Sequence, residues 1–496
     1  MSFCVNFPLF CIVACLLCAV ISSVLKDRAA RLVSLGLALA VLLCSLTLLH
    51  YVLKTGTPVT YIMGHYPHPW GNELRISVLE PLFTLAFSLV LLLCLLGGRK
   101  HIKDDLREEK RNLYYVMADL VLSALLVLAY TNDIFTGYVF IEICTLSSCG
   151  LLMIRRIGRT TLASVRYMIF SLLGSGLFLL GVVVLYSVTG QLLMPDLKAA
   201  ISVLYSSGEY RIPLMSAICL ITVGLAVKSG LFPFHFWMPD TYGCATPSSS
   251  GILSGLVSKG YIFFLLKIIF DVFGTEVFYA SGMQNVLYAF GACGIVVGSV
   301  SAIRENDISR MIAYSSAAQI GYIYMGIGIS RDLGVTAALY HILTHAMTKP
   351  ALFLAAARLS DTAGGKKQFR DLQGAGWANR AAGAFFTFEA FSMIGLPLTM
   401  GFISKYLFAL SAFRANIKMI PTLVVLAVST VLNTLYFART VIRLYNNQET
   451  ALAAPLPMKR QRSYVLSALV LALVNLGCGV FVRPLIGLLS KGLDLF

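Results

Sequence analysis

Long apolar stretches separated by short polar loops dominate the chain. Most of them reach the roughly 20 apolar residues that a helix needs to cross the hydrocarbon core of a bilayer. This pattern predicts about fourteen transmembrane helices, of which the seventh and the twelfth are broken by Pro and Gly. The predicted spans cover residues 3–25, 32–53, 78–96, 112–130, 133–154, 165–188, 213–243 (broken), 247–269, 283–303, 308–329, 333–357, 381–411 (broken), 417–442 and 464–489.

Composition supports this interpretation. Hydrophobic residues make up 58% of the chain and charged residues only 12%, whereas a soluble domain carries about a quarter charged residues. The mean hydropathy is +0.81. The sequence therefore predicts an all-α polytopic membrane protein.

The net charge of +16 is distributed as a topology signal. If the N-terminus lies outside, 24 Lys and Arg residues fall in inward loops and nine fall in outward loops or at the C-terminal end. Positive loops face inward, so the bias predicts that both termini lie on the outer face. The distribution does not suggest a nucleic-acid partner.

Ten charged residues fall inside the predicted spans, where each costs roughly 2.5–3.5 kcal/mol on insertion scales. Such residues normally mark an ion or proton path. Two of them, Lys267 and Arg439, lie near span ends, where we expect them to reach the interface. The remaining eight need a partner or water; they are Glu80, Asp119, Glu142, Lys228, Lys259, Lys349, Glu389 and Lys405.

The segment between Lys228 and Lys259 places two lysines on either side of a Pro- and Gly-broken stretch. A broken helix beside a buried charge is typical of transporters, because unpaired backbone groups are tolerated only along a cavity or inside protein. Snorkelling to a headgroup is the alternative for either lysine alone. Glu142 stands mid-span and would protonate unless a cation held it ionised, and Lys228 is the candidate partner.

His341, His345 and Lys349 recur at positions i, i+4 and i+8 and so share one helix face. Imidazole takes and releases protons near neutral pH, which suits a relay. A structural pair is one alternative. Metal binding is another, but it requires further Cys, Asp or Glu ligands, and the sequence shows none at that depth.

The chain then repeats its pattern. The ninth to thirteenth spans mirror the fourth to eighth in kind, and an odd number of spans per unit inverts the second copy. In the first unit Lys228 precedes a break at Pro233, and in the second Lys405 follows a break at Gly395–Pro397. We expect an N-terminal three-helix segment at 1–111, repeats at 112–269 and 283–443, and a last helix within 444–496.

Seven segments resemble a known family, the antiporter-like membrane subunits shared by respiratory complex I, membrane-bound hydrogenases and Mrp-type cation/proton antiporters. They cover roughly residues 110–410 in the family's order: DIFTGYVFIE, VRYMIFSLLGSG, GLAVKSGLFPFHFWMPDTY, ILSGLVSKGYIFFLLK, RENDISRMIAYSSAAQIGY, HILTHAMTKPALFLAA and SMIGLPLTMGFISK. The resemblance implies fourteen helices, two inverted five-helix repeats and a central line of polar residues.

The resemblance also implies roles for individual residues. Glu142 and Lys228 match the family's carboxylate–lysine pair, Lys259 and His345 its connecting groups, and Lys405 the terminal lysine of the second half-channel. His341 and Lys349 match further positions of the histidine helix. The chain departs from the family pattern at helix ends and loops: Arg304-Glu305, Ser309 and Leu398 replace the usual residues, and Glu80 stands where Asp is usual.

The function that the resemblance implies is proton or cation/proton translocation by one membrane subunit of a multisubunit complex in a bacterial or archaeal plasma membrane. The lysine at 405 excludes the branch with glutamate there. This leaves proteins like the D-type subunit of Mrp antiporters, hydrogenase counterparts or the smallest complex I homologue. The segment around Lys405 favours the Mrp and hydrogenase side.

We expect no cofactor and no metal, because no nucleotide, flavin, quinone or cluster motif is present. Any redox energy would therefore come from partner subunits. A stand-alone transporter of an organic solute is the alternative function, and a structural scaffold is a third.

Overall fold

The computed structural model describes residues 3–66, 71–155, 157–446 and 461–495, and almost all of them are helical. Arg156, Lys459 and Arg460, which belong to the inward basic residues, lie outside these ranges, as does part of the segment 444–496. The helices are α1 Phe7–Val24, α2 Asp27–Thr55, α3 Leu79–Gly97, α4 Arg99–Asp105, α5 Arg111–Tyr130, α6 Ile134–Met153, α7 Gly158–Thr189, α8 Met194–Ser207, α9 Arg211–Ser229, α10 Met238–Cys244, α11 Pro247–Ile252, α12 Ser258–Ile268, α13 Thr275–Ala280, α14 Met283–Arg304, α15 Ile308–Ile329, α16 Leu333–Thr362, α17 Ala375–Ala378, α18 Arg380–Ile394, α19 Met400–Phe413, α20 Met419–Tyr445, α21 Arg462–Val480 and α22 Val482–Asp494.

Eleven helical segments in the described ranges are long and apolar enough to cross a membrane. The prediction of a polytopic all-helical membrane protein is thereby confirmed. Helix boundaries follow the hydropathy pattern closely: α15 occupies Ile308–Ile329, the same limits as the predicted span. Hydropathy works well here because a chain in lipid must satisfy its backbone polar groups within the helix itself.

Several elements are not anticipated by the hydropathy pattern. A two-stranded antiparallel hairpin forms from β1, Val59–Ile62, and β2, Glu73–Ile76. The predicted span 464–489 is wrong at its end, because α21 stops at Val480 and α22 begins as a separate amphipathic helix. The apolar residues of α22 extend the hydropathy signal, although they serve to dock the helix on α3. A Cβ at Gly492 would stand only 2.5 Å from the Leu79 side chain, so this contact requires glycine.

The helix α16 lies at the centre of the molecule. Every residue of α16 except Leu333 and Asp361 is buried. Its neighbours include α3, α11, α15, α18, α19 and α21, which come from both halves of the chain. The histidine face therefore lies inside protein and not against lipid.

Two helix pairs cross through facing glycines. A Cβ at Gly174 of α7 would lie 2.7 Å from the Gly224 carbonyl of α9, and a Cβ at Gly224 would lie 2.6 Å from the Gly174 carbonyl. In the second pair, a Cβ at Gly291 of α14 would lie 2.7 Å from the Gly321 carbonyl of α15. Small residues allow this close approach, as the Gly/Ser pattern of α7 indicates.

The two broken spans end their first halves in the same way. Gly230 follows α9 with φ of 81°, and its N–H donates to the carbonyls of Ala226 and Val227. Gly395 follows α18 with φ of 107°, and its N–H donates to the carbonyls of Phe391 and Ser392. A glycine in the left-handed conformation can satisfy the last carbonyls of a helix and stop it. Both breaks are therefore capped ends and not irregular kinks.

The glycine crossing yields a direct test. We expect Gly174→Val to weaken the α7–α9 packing, because the added side chain would meet the Gly224 carbonyl and, at 2.9 Å, the Lys228 side chain. Overpacking of this kind typically costs about 1–3 kcal/mol. Thermal unfolding in detergent should show a lower midpoint for this variant.

Gly176→Val is the matched control, since nothing lies within 4 Å of a Cβ built at Gly176 on the same helix. Equal unfolding midpoints for the two variants would contradict the close crossing.

Candidate functional site

Glu142 and Lys228 come together as predicted. Glu142 lies on α6, and its Oε1 is 3.7 Å from the Lys228 Nζ near the end of α9. The lysine side chain is fully buried, whereas that of Glu142 is 23% exposed. The pair therefore joins an inaccessible ammonium to a carboxylate at the edge of the protein interior.

The Lys228 ammonium has further stabilising neighbours. Its Nζ donates a hydrogen bond of 2.7 Å to the Thr145 Oγ1, one turn after Glu142 on α6. It also lies 5.5 Å from the centre of the Tyr261 ring. Because Lys228 is in the last turn of α9, it interacts favourably with the negative end of the helix dipole.

Lys259 lies directly after a π-helical segment, Leu253–Val257, between α11 and α12. Its Nζ donates to the Ser254 carbonyl at 2.6 Å and to the Ser258 Oγ at 2.9 Å. Single-turn π segments shift the helical hydrogen-bond pattern and occur frequently at functional sites. Here the shifted turn supplies the carbonyl that holds a fully buried ammonium.

The π segment packs directly against the histidine helix. A Cβ at Gly255 would be 2.7 Å from the Pro350 ring and 3.3 Å from the Ala346 carbonyl of α16. Gly255 lies one turn before Lys259, and Ala346 is next to His345. Lys259 and His345 are therefore carried by segments in direct contact.

His341 connects α16 to α19. Its Nδ1 is 3.0 Å from the Ser404 Oγ, and Ser404 precedes Lys405. The rings of His341 and His345 have centroids 6.4 Å apart, as expected for one helix face. Both imidazoles are buried.

Lys349 and Lys405 are also held by backbone carbonyls and hydroxyls. The Lys349 Nζ donates to the Ser315 Oγ at 2.7 Å and to the Ile312 carbonyl at 3.2 Å. The Lys405 Nζ donates to the Ile394 carbonyl at 2.7 Å and to the Thr430 Oγ1 at 3.3 Å. Ile394 is the last residue of α18, so Lys405 reaches back to the break that it follows in sequence.

These residues form a series of buried polar side chains on five neighbouring spans, which we call the polar line. Its members are Glu142, Lys228, Lys259, His341, His345, Lys349 and Lys405. The first pair lies between α6 and α9, the middle members lie where the Lys259 segment meets α16, and the last lies at the second break. Among the described residues, no group of three His, Cys, Asp or Glu could hold a metal ion.

The expectation that Lys267 reaches the membrane interface is wrong. Its side chain is fully buried, with its Nζ 3.7 Å from the Glu80 Oε1 and donating to the Ala129 carbonyl at 2.8 Å. Asp271, one turn later, pairs with Arg75 of β2. Two ion pairs thus join α3, β2 and the end of the α12 span. A lysine near a span end suggests snorkelling, but buried Glu80 is the sequence signal of a partner.

Two further buried carboxylates form hydrogen bonds with neutral side chains. Asp119 accepts a hydrogen bond of 2.7 Å from the Ser34 Oγ of α2. Glu389 accepts one of 2.7 Å from the Asn475 Nδ2 of α21. Each links helices that are distant in sequence.

Residues 131–432, more than half of the chain, match the transmembrane family described as NADH:quinone oxidoreductase/Mrp antiporter. The chain belongs to this family. The match contains the whole polar line, from α6 to α19.

Named relatives of this NADH:quinone oxidoreductase/Mrp antiporter chain come from two kinds of complex. An NADH-quinone oxidoreductase subunit N of Desulforudis audaxviator is 32% identical over 460 residues, covering 91% of this chain and 89% of the relative. The D subunit of an Na(+)/H(+) antiporter of Alkalihalophilus pseudofirmus is 28% identical over 386 residues, covering 77% of this chain and 75% of the relative.

Solved structures share the fold over the full length. A chain of an archaeal membrane-bound sulfane sulfur reductase superposes with a TM-score of 0.87 at 24% identity, covering 100% of this chain and 98% of that one. A chain of the Mrp complex from Dietzia sp. gives 0.87 at 22% identity, covering 100% and 97%.

The Lys267–Glu80 pair generates a stability prediction. We expect Lys267→Met to destabilise the protein by about 3–5 kcal/mol, because it leaves Glu80 as a buried carboxylate without its cation. The double variant Glu80→Gln/Lys267→Met removes both charges and should recover much of the loss. Thermal unfolding of the two variants in detergent measures the difference.

Lys54→Met, at an exposed lysine in the last turn of α2, controls for the loss of one positive charge. Equal destabilisation by the single and double variants would show that Lys267 stabilises the fold through something other than Glu80.

Proposed function

We propose that this chain is the proton- or cation/proton-translocating membrane subunit of a multisubunit complex. The observation that carries the proposal is the Lys228–Glu142 pair at a capped helix break, from which the polar line continues across the molecule. Ionisable groups inside a membrane protein are costly, and a connected series of them is typical of proton relays. The family membership supports the same conclusion.

In the proposed architecture fourteen spans cross the membrane, and residues 112–269 and 283–443 form two inverted five-helix repeats. The N-terminal segment 1–111 and the last helix of 444–496 flank them. The matching caps at Gly230 and Gly395 support the repeat, because each stops the fourth span of its unit beside a lysine. The basic inward loops support a location of both termini on the outer face of a prokaryotic plasma membrane.

The first step in the proposed mechanism is a change in the Glu142–Lys228 contact. Opposite charges at this distance favour both ionised forms, whereas burial opposes them. While Glu142 stays close, Lys228 keeps its proton. When the contact weakens, the buried ammonium loses its main compensation and releases the proton toward Lys259.

Lys259, His345 and His341 then form the connecting relay, and Lys405 is the terminal group of the second half-channel. Proton hopping requires groups or waters within hydrogen-bond reach. The Gly255–Pro350 contact brings the Lys259 segment against α16, and the His341–Ser404 contact continues to the residue before Lys405. Lys349 holds a side position near Ser315, where its charge influences both histidines.

The partners in this proposal are other membrane subunits. The relatives are named as subunits of an NADH-quinone oxidoreductase and of an Na(+)/H(+) antiporter, and each is matched over at least three quarters of its length. The expected preference for the Mrp side gains no support here, since the named subunit N has the higher identity of the two. A redox reaction, if the complex carries one, is assigned to partner subunits.

A stand-alone transporter of an organic solute receives no support from these relatives. Such a protein would gather its polar groups around one midplane site. Here they extend over α6, α9, α12, α16 and α19.

We expect Glu142→Gln to reduce ion translocation severely while the complex still assembles. The neutral amide keeps the shape of Glu142 but no longer favours the charged form of Lys228. Translocation is measured as formation of a pH gradient by the native complex in sealed vesicles.

Glu276→Gln, at an exposed glutamate of α13, is the matched control and should translocate normally. Translocation by Glu142→Gln at the wild-type rate would refute the proposed role of the pair.

We expect both Lys405→Arg and Lys405→Ala to fail in transport, because the group must exchange its proton. Arginine keeps a cation that does not readily deprotonate, and alanine removes the cation. Both are compared in proteoliposomes that contain the assembled complex. Restoration of transport by arginine would show that Lys405 is only a structural anchor at the break.

A further inference from the structure

A basic cavity of about 510 Å³ opens where the beginning of α7, the end of α10 and the beginning of α15 meet. It lies outside the polar line, on the side of the molecule that carries the basic loops. Five basic and two acidic residues line it. They are Arg155, Arg159, Arg166, Arg310, Lys367, Asp240 and Asp307.

Both acidic residues are already engaged. The Asp240 carboxylate pairs with Arg166 through one oxygen and with the Arg310 Nη1, at 2.5 Å, through the other. The Asp307 Oδ1 caps α15 by accepting the N–H groups of Ser309, at 2.8 Å, and Arg310, at 3.0 Å. The cavity therefore keeps an excess of positive charge.

The remaining cations have unused capacity. Arg155 donates to the Cys244 carbonyl at 2.9 Å and pairs with Asp105 at 3.2 Å. Lys367 donates to the Gly243 carbonyl at 2.8 Å, so both are fixed against the end of α10. Arg159 is exposed and forms no hydrogen bond or ion pair in the described part of the chain. Its guanidinium is available to an anion in the cavity.

An apolar stripe leaves the cavity along α7. Arg159, Leu162, Arg166, Ile169 and Leu173 follow spacings of three and four residues and so share one helix face. Of these, Leu162 is 55% exposed, Ile169 61% and Leu173 53%. The arginines are at the start of this face, and the aliphatic side chains continue it toward the membrane centre.

The length of α7 gives the depth of the arginines. A helix of 32 residues is about 48 Å long, whereas the hydrocarbon core is only about 30 Å thick. If its C-terminal end lies at one interface, the first turns extend beyond the hydrocarbon at the other. Arg159 and Arg166 then lie at headgroup depth, and Ile169 and Leu173 lie among acyl chains.

We propose that this cavity binds the phosphate headgroup of an anionic phospholipid, whose acyl chains lie along Leu162, Ile169 and Leu173 of α7. Arginine matches phosphate oxygens with two parallel hydrogen bonds, and basic pockets between transmembrane helices bind such headgroups. A free phosphate or an acidic loop of a partner subunit would use the cations but not the aliphatic stripe. The combination of both features favours the lipid.

The test uses the full-length protein, delipidated in detergent and titrated separately with phosphatidylglycerol and with phosphatidylcholine, with bound lipid counted by native mass spectrometry. We expect the wild-type protein to retain phosphatidylglycerol in preference to phosphatidylcholine. Arg159→Gln should weaken this preference about fivefold, the effect of removing one basic group near an anionic headgroup. Ile169→Asn should weaken retention of phosphatidylglycerol as well, because it interrupts the stripe.

Arg211→Gln, at an exposed arginine that begins α9, is the charge-matched control and should leave the preference unchanged. Three results would overturn the proposal. Unchanged lipid preference in Arg159→Gln would exclude the cavity as a headgroup site. Displacement by millimolar inorganic phosphate, with no effect of Ile169→Asn, would identify a site for a free anion. Loss of a partner subunit from the native complex carrying Arg159→Gln, with lipid preference unchanged, would identify a protein interface.

Discussion

The structure depends on the cost of placing an ammonium group inside a membrane protein. Every lysine of the polar line meets this cost with oxygen atoms brought to it by the fold. Lys228 has a carboxylate and a hydroxyl, Lys259 has a carbonyl freed at a π segment, and Lys405 has a carbonyl at a capped break. Irregular backbone is stable at membrane depth only where it is enclosed by protein. The departures from regular helix are therefore located where charges need acceptors.

The same constraint explains the use of glycine. A helix that carries a buried lysine must approach its neighbours closely enough to exclude lipid from the charged side chain. At Gly174 a larger residue would displace both the α9 backbone and Lys228 itself. Close packing and charge stabilisation are therefore one requirement at this position, and not two independent ones.

Much of this can be predicted from the sequence, because hydropathy and isolated charges carry strong signals in membrane proteins. Pairing Glu142 with Lys228 follows from the instability of either charge alone, and the structure brings them to 3.7 Å. The identity of the other acceptors cannot be predicted, because Thr145, Ser404 and Ser315 are ordinary helix residues until the tertiary fold places a cation or an imidazole beside them. The prediction for Lys267 fails for a related reason: the sequence gives its position in the span but not the depth of its surroundings. The amphipathic α22 merges with α21 in the hydropathy pattern, since an apolar face that docks on protein has the same composition as one that faces lipid.

The burial of α16 has a consequence for how transport can be controlled. A helix enclosed along nearly its whole length cannot tilt or slide without displacing neighbours from both halves of the molecule, and protein interiors resist such displacement. Rocking of one half against the other, as in carriers that alternate between two open faces, would break the contacts that hold His341 and the Lys259 segment. Conduction along this path must instead be switched by rotamer changes and by the entry and loss of water, on the scale of one side chain. The protein then behaves as a fixed wire with local gates, and a neighbouring protein of the complex can drive it by shifting a single charge at one end.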